Sequence, residues 1–328
     1  MKILITGSSG HLGEALVRTL QNTNHEIIGI DIIPSAFTDK VGSVADRQFI
    51  RQCMQGVDAV LHTATLHKPH VVTHTHQEFV DTNISGTLNL LEEAVLNGVS
   101  SFVYTSTTST FGDALTPLPG LPAAWITEET IPVPKNIYGV TKTAAEDLCR
   151  LFYRNHRLPV AILKTSRFFP EEDDNKKIRQ NYADTNIKAN EFLYRRVDIE
   201  DIVNAHLLAI EKAPAIGCDR FIISATTPFG SKDLPDLSHD APSVVGRLFP
   251  DLEAEYARRG WKMFPRLDRV YVNDHARATL GWTPRYDFRF ILDRLKADVY
   301  PFSDLSLAVG SKGYHQTKFS EGPFPVKD

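Results

Sequence analysis

A glycine-spaced turn at the very start of the chain narrows the fold more than any other feature. Lys2 to Thr6 is a short apolar run that passes directly into Thr6-Gly7-Ser8-Ser9-Gly10-His11-Leu12-Gly13, after which Leu12 to Leu20 carries helical periodicity. A strand turning at glycine into a helix is the first half of a βαβ unit, and the rhythm continues. Ile27 to Ile30, Ala59 to Leu61, Ser101 to Thr105 and Val160 to Leu163 are apolar runs of strand length. Amphipathic stretches lie among them at Phe49 to Met54, Glu78 to Leu96 and Ile137 to Tyr153; the second has Val80, Ile84, Leu88, Leu91 and Ala94 on one side. Strands buried on both faces and joined by helices predict an α/β chain built on a doubly wound parallel sheet.

The turn itself has a chemical use. Gly7, Gly10 and Gly13 recur every three residues rather than at the two-then-three spacing of the commonest dinucleotide fingerprint. The requirement is shared: a pyrophosphate must approach bare backbone at a helix N-terminus, where unpaired N–H groups and the macrodipole favour negative charge. A Cβ at Gly7 or Gly10 would hold it off, and Gly13 lets the helix approach the sheet. Gly7, Ser9, Gly10, His11, Leu12 and Gly13 are therefore candidate cofactor contacts of a Rossmann-type domain. The next strand ends at Asp31, eighteen residues beyond Gly13. A carboxylate there accepts from ribose hydroxyls and repels a 2′-phosphate, and Ile32 and Ile33 bring no arginine to neutralise one, so NAD rather than NADP is expected.

Beyond about residue 165 the periodicity loosens into the charged run Glu171 to Lys177, several prolines and short periodic pieces. This predicts an NAD-binding domain over residues 1–165 and a smaller C-terminal substrate lobe over 166–328. Segments near 196–226, a helix from Asp198 to Ile210 and a strand from Phe221 to Ala225, return to the first domain. The run Glu171 to Lys177 reads as a solvated turn, and the tail after Ser303, closing at Gly322 to Val326, as extended or partly disordered surface chain. With 36 Lys plus Arg against 40 Asp plus Glu, no positive field exists to collect nucleic acid. Cys53, Cys149 and Cys218 fit neither a disulfide framework nor a zinc knuckle, and no apolar run reaches membrane-spanning length; the expected setting is the reducing cytoplasm, with no membrane partner.

Tyr138-Gly139-Val140-Thr141-Lys142 opens the long helix, and its four-residue spacing puts a phenol and an ammonium on one face, a turn apart. A phenol with a pKa near about 10 is a poor base at neutral pH, and a neighbouring positive charge favours its ionised form. Further stretches accompany it: Thr105-Ser106-Thr107-Thr108-Ser109-Thr110-Phe111-Gly112, Asp81-Thr82-Asn83-Ile84-Ser85-Gly86-Thr87, Arg167-Phe168-Phe169-Pro170, Arg196-Val197-Asp198-Ile199-Glu200-Asp201-Ile202 and Leu280-Gly281-Trp282-Thr283-Pro284. Together these resemble the extended short-chain dehydrogenase/reductase superfamily, in its NAD-dependent epimerase/dehydratase branch that includes UDP-glucose 4-epimerase-like proteins, over residues 1 to about 295. The resemblance implies Thr107 orienting the reacting oxygen, Tyr138 as general base, and Lys142 lowering its pKa and holding the nicotinamide ribose. It adds Ser43, Val44, Thr63, Ala64, Asn83, Tyr138 and Lys142 to the cofactor contacts, and it implies a homodimer formed through the helices at Glu78 to Leu96 and Ile137 to Tyr153.

Departures from the family pattern bear on the substrate. Ser43 stands where an adenine-binding aspartate is usual. Thr108 and Ser109 follow Thr107 where sugar-nucleotide dehydratases carry Asp-Glu, and neither can do a carboxyl's acid/base work, which disfavours dehydration. Twenty-eight residues separate Arg167 from Arg196, a short stretch for a nucleotide-diphosphate pocket. His67, Lys68, Thr108 and Arg167 are candidate contacts of a small, sugar-like substrate. His62, His67, His70, His74 and His76 crowd one loop, but their spacings match no zinc pattern and no metal is expected. The expected chemistry is hydride transfer between NAD and a carbinol carbon of a sugar or nucleotide sugar. An epimerase ranks ahead of a dehydrogenase of a smaller sugar or hydroxy compound, and a non-catalytic NAD-sensing protein is the alternative of another class.

Overall fold

Side-chain parity along the strands builds the two faces of a sheet. In the computed structural model, which describes residues 1–313 and Phe319, the strands are β1 (Lys2–Thr6), β2 (Glu26–Asp31), β3 (Lys40–Val41), β4 (Ala59–His62), β5 (Ser101–Thr107), β6 (Ala124–Ile126), β7 (Val160–Thr165), β8 (Cys218–Ile223) and β9 (Arg269–Tyr271). Ile3, Ile5, Leu61, Val103, Leu163 and Phe221 pack against the helices His11–Leu20 and Ile199–Ile216. Their neighbours Leu4, Val60, Phe102 and Ile162 point the other way, into helices Arg47–Cys53, Gly86–Leu96 and Ile137–His156. Both faces are thus covered, as the continuous apolar strands predict.

Seven of the strands form one wholly parallel sheet among the described residues, in the order β3-β2-β1-β4-β5-β7-β8. The chain runs outward from β1 to β3, then returns to the centre at β4 and runs outward on the other side. Loops leaving β1 and β4 therefore part at their carboxyl ends, where Thr6 lies in register with His62, and the crevice between them is where such sheets bind ligands.

The helix expected over Glu78 to Leu96 is present but interrupted. A short α-helical turn, His76–Phe79, leads into the π-helical turn Val80–Ser85, and α-helix resumes at Gly86–Leu96. The wider turn brings Asn83 into the interior, and Gly86 sits so close to Val44 that a Cβ would stand 2.6 Å from its Cγ2.

The smaller lobe packs around Phe192, Leu237, Val245, Phe249, Phe288 and Ile291, beside the parallel pair β6–β9. It is tied to the sheet at Asp201, whose carboxylate accepts the Arg285 and Tyr286 N–H groups at 2.8 and 2.9 Å while its carbonyl accepts Trp282 Nε1 at 3.0 Å. The tail departs from expectation. Ser303 caps the helix Asp304–Val309, and Val309 is buried against the sheet-side core. Six residues are too few for an apolar period to show. Gly322 to Val326 lies outside the described residues. Among the described residues no helix is long and apolar enough to cross a membrane.

Candidate active site

The glycine turn closes on itself. Gly7 has φ +72°, donates its N–H to the Ile30 carbonyl at 2.8 Å, and leaves no room for a side chain: a Cβ would stand 2.8 Å from the Ala64 backbone. At Gly13 a Cβ would come within 1.9 Å of the Gly7 carbonyl oxygen, so the third glycine is required by the turn's own backbone rather than by the packing of helix on sheet. Asp31 ends β2 directly beside it. One carboxylate oxygen accepts the Ser9 N–H and the other the Ile33 N–H, each at 2.9 Å, which fixes the carboxylate and leaves lone pairs for a ligand. Thr63 and Ala64 both donate their N–H groups to Thr6 Oγ1 at 3.1 Å, while Ser43 Oγ is used within its own loop, accepting from Ala45 N.

His11, at the helix N-terminus, reaches across to Glu171 at 2.7 Å. Glu171 also accepts from Ser311 Oγ, Lys312 N and Gly313 N, which brings these three residues beside the first helix of the sheet. Lys312 Nζ pairs with Glu14. Burial works against the Glu171 charge, but the His11 hydrogen bond and the backbone donors hold its carboxyl down at about 2. The expected solvated turn at Glu171 to Lys177 is thereby corrected in its first part: Glu171 is buried against partners from distant parts of the chain and Asp173 against the nearby Arg167.

One cleft of about 1230 Å³ runs from Asp31 over Gly7, Ser9, Gly10, His11, Leu12 and Gly13, past Ser43, Val44, Thr63 and Ala64, to Thr107, Thr108 and Tyr138. Two of the sequence candidates lie behind its wall. Asn83 is buried with its amide fully used: Oδ1 accepts from Thr65 Oγ1 and Leu66 N, and Nδ2 donates to the Leu66 carbonyl and Thr141 Oγ1. It clamps the loop after β4 to the long helix. Lys142 is the other, only 2% exposed, with Nζ donating to the Thr105 carbonyl at 2.7 Å and lying 4.1 Å from the centre of the Tyr104 ring.

β5 delivers Thr107 and the first turn of Ile137–His156, capped by Asn136, delivers Tyr138. The Thr107 hydroxyl accepts the Ser109 N–H at 3.1 Å, and Thr107 and Tyr138 line the same cleft. Burial pushes the Tyr138 phenol up to about 12, against the lowering influence of the Thr107 hydroxyl, and pulls Lys142 down to about 7, against Glu146. The expected lowering of the phenol is therefore not achieved by the protein alone, because both groups are desolvated and the ammonium is turned to the Thr105 carbonyl. Beneath them lie two residues the sequence reading passed over. Glu146, one turn past Lys142, accepts from Ser106 Oγ at 2.5 Å and from Lys164 Nζ at 2.6 Å. The repeated four-residue spacing and a lysine inside an apolar strand were the available signals.

At the end of the cleft toward Arg167 the cations are already paired. Arg167 donates to Asp173 at 2.7 Å and Glu191 at 3.1 Å, Arg195 to Glu191 at 2.7 Å, and Lys68 to Asp174 at 2.6 Å. His67 lies with its ring centre 6.2 Å from Tyr138 and 6.1 Å from Phe169. Burial, then His70 and Lys142, pull its pKa down to about 3, so it is neutral at physiological pH. β9 brings Arg269 and Tyr271 to the same cleft, where no sequence motif marked them. Among the described residues no group of three metal-ligating side chains converges.

Glycines at a helix N-terminus, an acid at the second strand end, and Thr107 and Tyr138 in one cleft on a doubly wound parallel sheet define a protein of the Rossmann class. Residues 3–223 match the NAD dependent epimerase/dehydratase family, and the chain belongs to it. The residues present fit that family's cofactor, NAD: Gly7, Gly10 and Gly13 line the cleft without side chains at the N-terminus of the first helix, and Asp31 lines the same cleft. Among curated relatives, UDP-glucose 4-epimerase of Streptomyces lividans is 24% identical over 89% of this chain and 94% of its own length. An uncharacterized UDP-glucose epimerase of Bacillus subtilis is 30% identical over 52% of this chain and 56% of its own. The chain spans about half the length, or less, of the first curated relatives it matches. A short-chain dehydrogenase/reductase superfamily protein from Agrobacterium tumefaciens, solved with bound NAD, shares the fold with a TM-score of 0.64 at 23% identity, over 91% of this chain and 95% of that one.

Proposed function

We propose that the chain is an NAD-dependent sugar oxidoreductase that transfers hydride at a carbinol carbon of a sugar or nucleotide sugar, with epimerisation as the favoured outcome. The observation that carries this reading is that Thr107, at the end of β5, and Tyr138, in the first turn of the long helix, line the same cleft as the glycine turn. The pair marks the place of the reacting oxygen. Tyr138 Oη takes the hydroxyl proton and Thr107 donates to the oxygen as it becomes a carbonyl; the positive charge of bound NAD would add to that of Lys142, one turn below, whose ammonium alone does not offset the burial of the phenol. NAD, when bound, supplies the hydride acceptor and, in an epimerase, the hydride donor of the return step. Glu171 and the segment Ser311–Gly313 gather at the cofactor end of the cleft, an arrangement suited to a cofactor that stays bound between half-reactions. A dimer formed through the long helices belongs to this proposal by family likeness.

One observation favours a second reading, a dehydrogenase of a compact sugar. Lys68, Arg167 and Arg195 are matched by Asp173, Asp174 and Glu191, so little cationic capacity remains for a diphosphate. Purified protein incubated with NAD and a panel of sugars, nucleotide sugars and hydroxy acids separates the outcomes. Inverted product without net NADH supports the epimerase, stoichiometric NADH the dehydrogenase, and Tyr138→Phe equal to wild type with every compound would contradict both and favour a sensor.

A further inference from the structure

We propose that Glu146 and Lys164 form a positioning pair that sets the charge on Lys142 and the place of Thr107, a role that rests on the catalytic reading above. Tyr138, Lys142 and Glu146 follow at four-residue steps and so share one stripe of the helix Ile137–His156; all three are buried. The stripe lies along β5 and holds it at successive residues. Lys142 takes the Thr105 carbonyl, and Glu146 takes the Ser106 hydroxyl. Lys164, from β7, completes the frame: besides Glu146 it donates to Thr110 Oγ1 at 2.8 Å, and that hydroxyl donates to the Thr107 carbonyl at 2.8 Å. Both ends of the network terminate on the proposed reacting group.

The charges around Lys142 come from every neighbouring element. Its own helix presents Glu146, Cys149 and the Tyr138 phenol; β5 presents the Tyr104 ring; β4 and the loop after it present His62 and His67, both held neutral by burial; β7 presents Lys164. Glu146 is the anion of this set. Lys164 is its direct partner, and Arg150 Nη2 stands 3.9 Å from its outer oxygen. Burial of Lys142 disfavours its charged form, Glu146 opposes that, and Lys164 adds to it. A buried ion pair is replaceable by apolar side chains at little cost in stability, so its presence directly beneath an ammonium suits a task beyond holding the fold.

Opposite signs follow from the two halves of the pair. Glu146→Gln removes the attraction that keeps the Lys142 proton; Lys164→Met removes a repulsion and leaves Glu146 to Lys142 and Arg150. The test is ¹³C NMR of labelled lysine Cε resonances across pH, with Lys142 assigned by the signal lost in Lys142→Met, in protein with and without NAD. The midpoint for Lys142 should fall by about one pH unit or more in Glu146→Gln and rise in Lys164→Met. kcat/KM at neutral pH should fall in the first variant with its pH profile displaced in the same direction as the midpoint. If Glu146→Gln does not fold, the double variant Glu146→Gln/Lys164→Met removes the unpaired buried cation, and its midpoint should still lie below wild type. Midpoints that stay in place, or that move in the same direction in both single variants, overturn the proposal. Because the midpoints need no turnover, they stand apart from a failure of the catalytic reading, which would show as unimpaired turnover by Tyr138→Phe.

Discussion

The Thr107 hydroxyl accepts the Ser109 N–H, which leaves its own proton to donate to an oxygen bound in the cleft that Tyr138 also lines. Thr107→Val keeps the shape and removes that donor, so kcat should fall by about 10²-fold or more with little change in KM, measured in steady-state kinetics on the best substrate of the panel. Tyr138→Phe should cost about 10²- to 10⁴-fold while leaving the thermal melting curve in place. His67 tests the electrostatics. Its pKa of about 3 lies below the unfolded value near 6.5, so it carries no charge change between pH 5 and 8, and His67→Asn should leave the pH–rate midpoints of that range unmoved. The four-residue spacing of Tyr138 and Lys142 put them on one helix face from the sequence alone, whereas Thr107 was singled out only by the family resemblance. Arg269 was not, since a strand remote in sequence delivers it beside β6.

Glycine positions and apolar periodicity announced most elements, and the misreadings arose where a local device overrode a period. The apolar stripe of Glu78 to Leu96 survives a π-helical turn, so the pattern reads as one helix although Val80–Ser85 is wider than the rest. Asn83 was visible as a motif residue, yet its four hydrogen bonds within the protein make it a clamp between the loop after β4 and the helix carrying Tyr138. Asn83→Ala should lower stability by about 2–4 kcal/mol, as buried partners lose their bonds, with a correspondingly lower melting temperature. NAD affinity, measured by calorimetry, should weaken as well, because Thr63 and Ala64 precede the loop that Asn83 holds.

Contacts that join the lobes span far more of the chain than any local pattern covers, which is why the sheet could be foreseen and the ionic floor of the cleft could not. Glu171 bonds residues 160 positions before it and 140 to 142 after it. Its folded value, about 2, lies below the usual 4.5; the contribution it makes is therefore complete above pH 4.5 and is lost as pH falls from there toward 2. That contribution is about 3 kcal/mol, so Glu171→Gln should flatten the acid limb of the melting temperature against pH. The central claim, hydride movement at a carbinol carbon under Tyr138, is tested most directly by mass spectrometry of a substrate deuterated at that carbon after reaction with NAD. The expected result is deuterium retained at the same carbon of the inverted sugar, or delivered to the reduced nicotinamide, and neither in Tyr138→Phe. Replacement of the deuterium by solvent hydrogen, in a product formed equally well without NAD, would contradict it.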